Sequence, residues 1–219
     1  MTQKKRPYEP AETLAIGQIY EVEGNQIRIE LNAKLEELTR VYRGDVYSIG
    51  QFGSIIQIPI GRQTIFAMVT KLTMKNEVAE PNEKLPPKDD SRIIIANLFG
   101  EGDWKKEEIN WKLRFERGVS RYPLPLQTAY LTEKDTLAQI YRKEQGDRIE
   151  LGTYVGSGGV SCFADMSTLI GKHTAILGST GSGKSATTAS ILHSILKPDT
   201  KPENWSPQII ILDPHGEYK

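Results

Sequence analysis

Residues 173–196 read HTAILGSTGSGKSATTASILHSIL, and three patterns follow one another there. Residues 174–177 are an apolar run short enough for a buried strand. Gly178-Ser179-Thr180-Gly181-Ser182-Gly183-Lys184-Ser185 then fills G-x-x-x-x-G-K-[ST] without a mismatch. Beyond it, Ile191, Leu192, Ile195 and Leu196 recur at helical spacing. Strand, glycine loop and helix stand in the order that a phosphate-binding loop requires.

The residue types dictate the chemistry. Gly181 and Gly183 accept backbone angles that a Cβ disfavours, so successive N–H groups can face one concavity and hold phosphate oxygens. The helix starts where the loop ends, and its positive dipole end favours an anion. Lys184 is expected on the β- and γ-phosphates of a nucleotide and the Ser185 hydroxyl on Mg²⁺. Gly178, Ser179, Thr180 and Ser182 complete the cradle as small residues that let the backbone approach. The plainer alternative is a glycine turn before an ordinary helix.

Working outward, the chain has 219 residues, enough for one large domain or two small ones. Lysine plus arginine number 28, and so do aspartate plus glutamate, which excludes a wholesale basic nucleic-acid binder. Cys162 is the single cysteine, so no intramolecular disulfide forms, and His173, His193 and His215 are too scattered for a zinc cluster. Lys4, Lys5 and Arg6 are not followed by an apolar core, so residues 1–10 do not read as a secretory signal. No uncharged stretch approaches bilayer-spanning length, and a cytoplasmic protein without a membrane partner is expected.

The N-terminal part reads as short strands broken by turns. A hairpin is expected over 15–22 and 26–31 about Gly24-Asn25, because Ile27, Ile29 and Leu31 alternate with Arg28 and Glu30. Further strands are expected at 45–49, 54–60, 63–72, 92–99 and 111–116, with residues 79–90 a long loop and residues 100–103 a turn. A short strand at 128–131 precedes a helix through Tyr141 with Thr132 as its N-cap and Thr136, Leu137, Ile140 and Tyr141 on one face. Strands this dense suggest a small barrel, which also hides sheet edges. A boundary is placed at about residue 155, giving a barrel over 1–155 and the start of a nucleotide-binding domain over 156–219. In that second part 160–164 is a short strand and 166–170 a turn, Pro198 stops the helix, and 208–212 is an apolar strand delivering Asp213 to its C-terminal end.

Asp213-Pro214-His215-Gly216-Glu217-Tyr218 after that strand, together with residues 178–185 and an N-terminal β-domain, resembles the HerA branch of the HerA/FtsK ATPases. Arg117-Gly118-Val119 and Tyr122-Pro123 resemble the end of that family's N-terminal HAS barrel. The resemblance implies a mixed fold: a small HAS-like β-barrel, then the first part of an α/β, RecA-like P-loop NTPase domain. It implies ATP and Mg²⁺ as cofactors, with Asp213 as the second-strand aspartate near the metal, directly or through water. It further implies a hexameric DNA translocase or helicase acting on double-stranded DNA with a nuclease or NADase effector docked on the barrel, in DNA-end processing or anti-phage defence. Only 28 residues separate Lys184 from Asp213, and the family's Walker B pair lies further on, so the resemblance implies that Asp213 is not to be assigned as the hydrolytic base. No catalytic residue is assigned; Glu217 is the one candidate, against the simpler role of a capping or paired carboxylate. The Walker B pair, the arginine finger and the pore loops are absent, so the chain is expected to be the N-terminal part of a longer protein and not to hydrolyse ATP by itself. The two apolar strands are expected to lack their sheet neighbours.

Two other readings stand beside this one. Asp213-Pro214-His215-Gly216 fits D-x-x-G, as in a GTPase-like switch, although no Asn-Lys-x-Asp guanine-reading motif is present. A non-catalytic scaffold, recruiting a partner through the barrel, is the third.

Overall fold

The computed structural model describes residues 6–33, 37–74, 91–141, 148–154, 159–196, 207–214 and 216. They divide into two compact units, residues 1–140 with 154–160, and residues 141–153 with 161–219.

In the first unit, β1 (Ala15–Glu23) and β2 (Gln26–Leu31) form the expected hairpin, with Gly24 at φ +53° in its turn. β3 (Thr39–Tyr42) and β4 (Asp45–Ser48) make a separate two-stranded ribbon. β5 (Ile55–Ile60), β6 (Gln63–Met74), β7 (Arg92–Glu107), β8 (Asn110–Arg117) and β9 (Thr128–Leu131) follow, and then helix α1 (Lys134–Tyr141). The sheet runs β2-β1-β9-β5-β6-β7, and β2 also pairs with β7 over Gln26–Glu30 against Ile93–Asn97. That second pairing closes a six-stranded barrel and leaves β8 attached to the outer half of β7. The expected barrel is therefore present. Its interior is aliphatic, with Ile19, Ile27, Ile29, Ile58, Ile65 and Ile94 among the fully buried side chains.

The sequence expectation of a turn at residues 100–103 is overturned: this stretch lies within the sixteen-residue β7. Gly100 and Gly102 are there for close approach. A Cβ on Gly100 would clash with two Phe115 ring carbons at 2.4 Å and lie 2.7 Å from the Glu116 carbonyl oxygen, and one on Gly102 would meet Leu113 Cδ1 at 2.5 Å. These gaps let β8 lay Phe115 edge-on to Phe66 at 5.9 Å, covering the barrel's outer face. The reversal falls instead at Glu108, with φ +51°, between β7 and β8.

Thr132 is not the N-cap of α1. It is buried, and its hydroxyl makes no hydrogen bond among the described residues. The first turn instead closes on the carbonyl of Glu133, which accepts from the N–H groups of Thr136 and Leu137 at 3.0 Å each. Burial of Leu131 and Thr132 draws the chain into the core one residue beyond the expected start. Helix α1 is then fixed on two sides. Lys134 pairs with Asp45 at 2.5 Å and Arg43 with Glu133 at 3.6 Å, while the Leu113 N–H donates to Gln139 Oε1 at 2.8 Å. That last bond occupies a donor on the otherwise open edge of β8. The expected loop over 79–90 lies outside the described residues.

Beyond β8 the chain turns at Gly118, with φ +90°. There the Ser120 hydroxyl and N–H donate to Glu101 at 2.6 and 2.9 Å. The hydroxyl bond, ahead of the backbone bonds and the nearby Arg121, holds the Glu101 carboxyl below its ordinary range.

In the second unit β10 (Arg148–Thr153) pairs with β11 (Ser161–Asp165), and α2 (Met166–Leu169) and α3 (Lys184–Leu196) follow. Strand β10, which the sequence reading put on the barrel side of a boundary near 155, thus pairs within the second unit. Where a turn is expected at 166–170, α2 forms, because the Asp165 carboxylate accepts from Thr168 N–H at 2.7 Å and caps it.

Two measurements test this packing. A Cβ on Gly17 would sit 2.8 Å from the Glu30 carbonyl carbon and 2.9 Å from Leu31 Cα, both main-chain atoms of β2. Gly17→Ala is expected to destabilise the barrel by at least about 2 kcal/mol, read as a lowered urea midpoint. Because the Glu101 pKa is depressed in the folded state, the stability it contributes is full above the ordinary carboxylate range and fades as pH falls through the folded value. Ser120→Ala should move the Glu101 titration upward in a carboxyl-detected NMR series.

Candidate nucleotide site

Helix α3 is seated by its C-terminal half. Ile195 is buried against Ile149 and Met166, with Ile191, Leu151, Ala164 and Leu169 packed around them. On the adjoining face the Ser194 hydroxyl donates to the Glu150 carbonyl and the Ser190 hydroxyl to that of Leu151 at 3.5 Å. Serines four apart on one face of a helix read in sequence as solvent-facing polar residues. Here they fasten the helix to β10, a role that only the hairpin's position reveals.

The N-terminal half of α3 faces outward, and the glycine loop lies there. Gly181 and Gly183 have φ +79° and +87°, in the left-handed region that favours glycine. A Cβ at either position would meet no atom within 4 Å, so backbone conformation and not crowding demands glycine there. Gly178 is held by space instead, since its Cβ would come within 3.2 Å of Ser182 Cβ. The Ser182 N–H closes the turn on the Ser179 carbonyl at 3.2 Å. Lys184 Nζ donates to the same carbonyl at 2.8 Å, folding the ammonium back over the loop. The helical ladder begins with Thr187 N–H on the Gly183 carbonyl at 2.9 Å.

Charge points the same way. A helix start usually recruits aspartate or glutamate, yet the first turn of α3 has no acidic residue and begins with a lysine. Residues 178–183 are exposed. An exposed loop with positive-φ glycines, an ammonium and an uncompensated helix start has the features that favour an anion.

The described contacts bring Gly178, Ser179, Ser182, Gly183 and Lys184 together in one loop. Thr180 lies in the same exposed turn, and Ser185 is half-buried in the first turn of α3. Asp213 is half-buried, and its carbonyl accepts from Gly216 N–H at 3.4 Å across a loose turn. His215, Glu217 and Tyr218 lie outside the described residues. Among the described residues no group of three or more His, Cys, Asp or Glu side chains gathers to hold a metal. Ser185 and Asp213 are the oxygen donors that suit Mg²⁺, which keeps waters and takes few protein ligands.

The two expected strands at 174–177 and 208–212 do not form ladders among the described residues. Leu177, Ile210 and Leu212 stand 88%, 90% and 90% exposed. A strand exists through its neighbours' hydrogen bonds, and here none is adjacent.

The second unit carries the glycine loop and following helix of a P-loop core. The family model of the helicase HerA central domain matches residues 149–219. The DNA double-strand break repair helicase HerA of Pyrococcus furiosus is 35% identical over 136 residues, 58% of this chain and 23% of that protein. A probable helicase of Methanocaldococcus jannaschii is 35% identical over 98 residues, 44% of this chain and 18% of its own length. An uncharacterized protein of Aquifex aeolicus is 35% identical over 96 residues, 42% of this chain and 34% of its own. The matches cover between about a fifth and a third of these relatives. These matches support a HerA-type central domain over residues 149–219. No described helix is long and apolar enough to cross a membrane.

Among the described residues, Ile195 is one of three buried residues in the second unit's small core. Ile195→Ala is expected to cost about 2–5 kcal/mol locally, enough to release α3. Amide exchange should rise across 184–196 while the barrel amides keep their protection.

Proposed function

We propose that the chain is part of an ATP-driven DNA translocase or helicase of the HerA type. The observation that carries this reading is the loop over 178–185, with Lys184 at its mouth, inside the segment that matches the HerA central domain. In this reading the first unit is the HAS-like barrel, the second is the beginning of the RecA-like ATPase domain, and the boundary lies in the segment between α1 and β11.

The residues present fit a Mg-nucleotide. The N–H groups of the glycine loop and of the first turn of α3 would hold the phosphates, Lys184 would exchange its carbonyl partner for a phosphate oxygen, and Ser185 and Asp213 would stand at the metal. Bound ATP supplies the phosphoanhydride whose cleavage drives movement. The chain's own contribution is to position that group and balance its charge. A neighbouring subunit in a hexameric ring would complete the site, with DNA as the substrate and a nuclease or NADase effector docked on the barrel. The setting would be DNA-end processing or defence against phage.

Calorimetric titration of the native gene product with Mg-ATP and Mg-GTP tests the reading. ATP is expected to bind at micromolar to submillimolar affinity, and Lys184→Ala to weaken it by roughly a hundredfold, a charge-assisted bond's worth. Equal binding of GTP would favour a nucleotide switch. No binding of either, with the second unit folded, would leave the barrel as a scaffold.

A further inference from the structure

In the first unit a cavity of about 180 Å³ opens between the β3–β4 turn, the outer ends of β7 and β8, and the start of α1. Pockets that take small-molecule ligands run about 300–1,000 Å³, so this one has room for a single side chain. Its walls include Trp104 and Trp111, with Arg43, Glu133, Asp135 and Gln139 around them. We propose that it is a docking pocket for an arginine side chain of a partner protein.

The charges decide the class of occupant. Arg43 is paired with Glu133 at 3.6 Å, and Arg6, at the cavity's edge, with Glu9 at 3.3 Å. Asp135 makes no ion pair or side-chain hydrogen bond among the described residues and is exposed. Of the four charged side chains on the walls, Arg6, Arg43, Glu133 and Asp135, the Asp135 carboxylate is the one without an ion-pair partner among the described residues, and two indoles line the same cavity. A planar cation satisfies both, pairing with the carboxylate while stacking on the ring. Arginine is also the cation most often buried as an anchor at protein interfaces.

The walls are already in place. Tyr8 meets Trp111 edge-on, with ring centroids 5.2 Å apart and planes at 79°. Trp104, 3% exposed, donates its indole N–H to Thr64 Oγ1 at 3.1 Å. Gln139 ties α1 to the main chain of β8 at Leu113, and Asp135, one turn earlier on the helix, lines the same cavity as Trp111, two residues earlier on the strand. An occupant would meet a site that needs no reordering of these elements. The inference rests on the proposed function only in looking for a partner at the barrel, since every residue in it belongs to the first unit.

The test uses the full chain, ¹⁵N-labelled, with blocked Gly-Arg-Gly peptide as the probe. The Trp111 indole N–H resonance is expected to shift saturably in the millimolar range, and the citrulline analogue to give little response. Asp135→Asn should weaken the arginine peptide roughly tenfold and Asp135→Glu should restore most of it. Lys184→Ala should leave the shift unchanged, so failure of the nucleotide reading and failure of this one are told apart. No saturable shift with the arginine peptide, an equal response to citrulline, or a stronger one to blocked Gly-Glu-Gly would overturn the proposal.

Discussion

The pairing of β2 with β7 is the contact on which the first unit depends. It joins residues 26–30 to residues 93–97, far apart in sequence, and turns an open sheet into a closed one. Without it β2 and β7 would each present an unpaired backbone edge, and Ile27, Ile29 and Ile94 would lose the enclosure that buries them fully. Closure also explains the length of β7. One half completes the ring, the other continues past Gly100 and Gly102 to carry β8, and β8 carries the contacts that hold α1.

Much of the barrel was legible because it is built from local signals. Alternation in 26–31 and 111–116 and the glycine turn at Gly24 each set an element in place without reference to distant residues. What misled was glycine itself. Gly100 and Gly102 resemble turn punctuation, but their positions are fixed by Phe115 and Leu113 on the next strand, a tertiary demand invisible in a linear reading. Thr132 misled likewise, because a hydroxyl before a helix looks like a cap until the chain's path into the core removes it from the helix end. The β3–β4 ribbon was half seen: its second strand was expected, while Thr39–Tyr42 alternates too weakly in hydrophobicity to declare itself.

In the second unit the loop was legible in full and its surroundings were not. The spacing from Gly178 to Ser185 encodes a backbone shape, and the positive φ values of Gly181 and Gly183 follow from it. The flanking strands are a different kind of statement, since residues 174–177 and 208–212 have strand composition but no ladder. Composition specifies what a segment can bury, and pairing depends on what lies next to it. The seat of α3 belongs to the same category. Ser190 and Ser194 gain their role from carbonyls on β10, some forty residues earlier in the chain.

The bond between Lys184 and the Ser179 carbonyl has a kinetic side. Its acceptor is neutral, so the ammonium is oriented over the loop without being paired to a carboxylate there. A lysine parked on a carboxylate would present a dipole to an approaching polyanion, and that carboxylate would have to be displaced as well. Held as it is, the side chain acts as a beacon whose field reaches beyond contact distance and is damped by dissolved salt. In the proposed reading, capture of a nucleotide would begin before the loop's N–H groups are within bonding range, and the exchange of one oxygen for another would complete it.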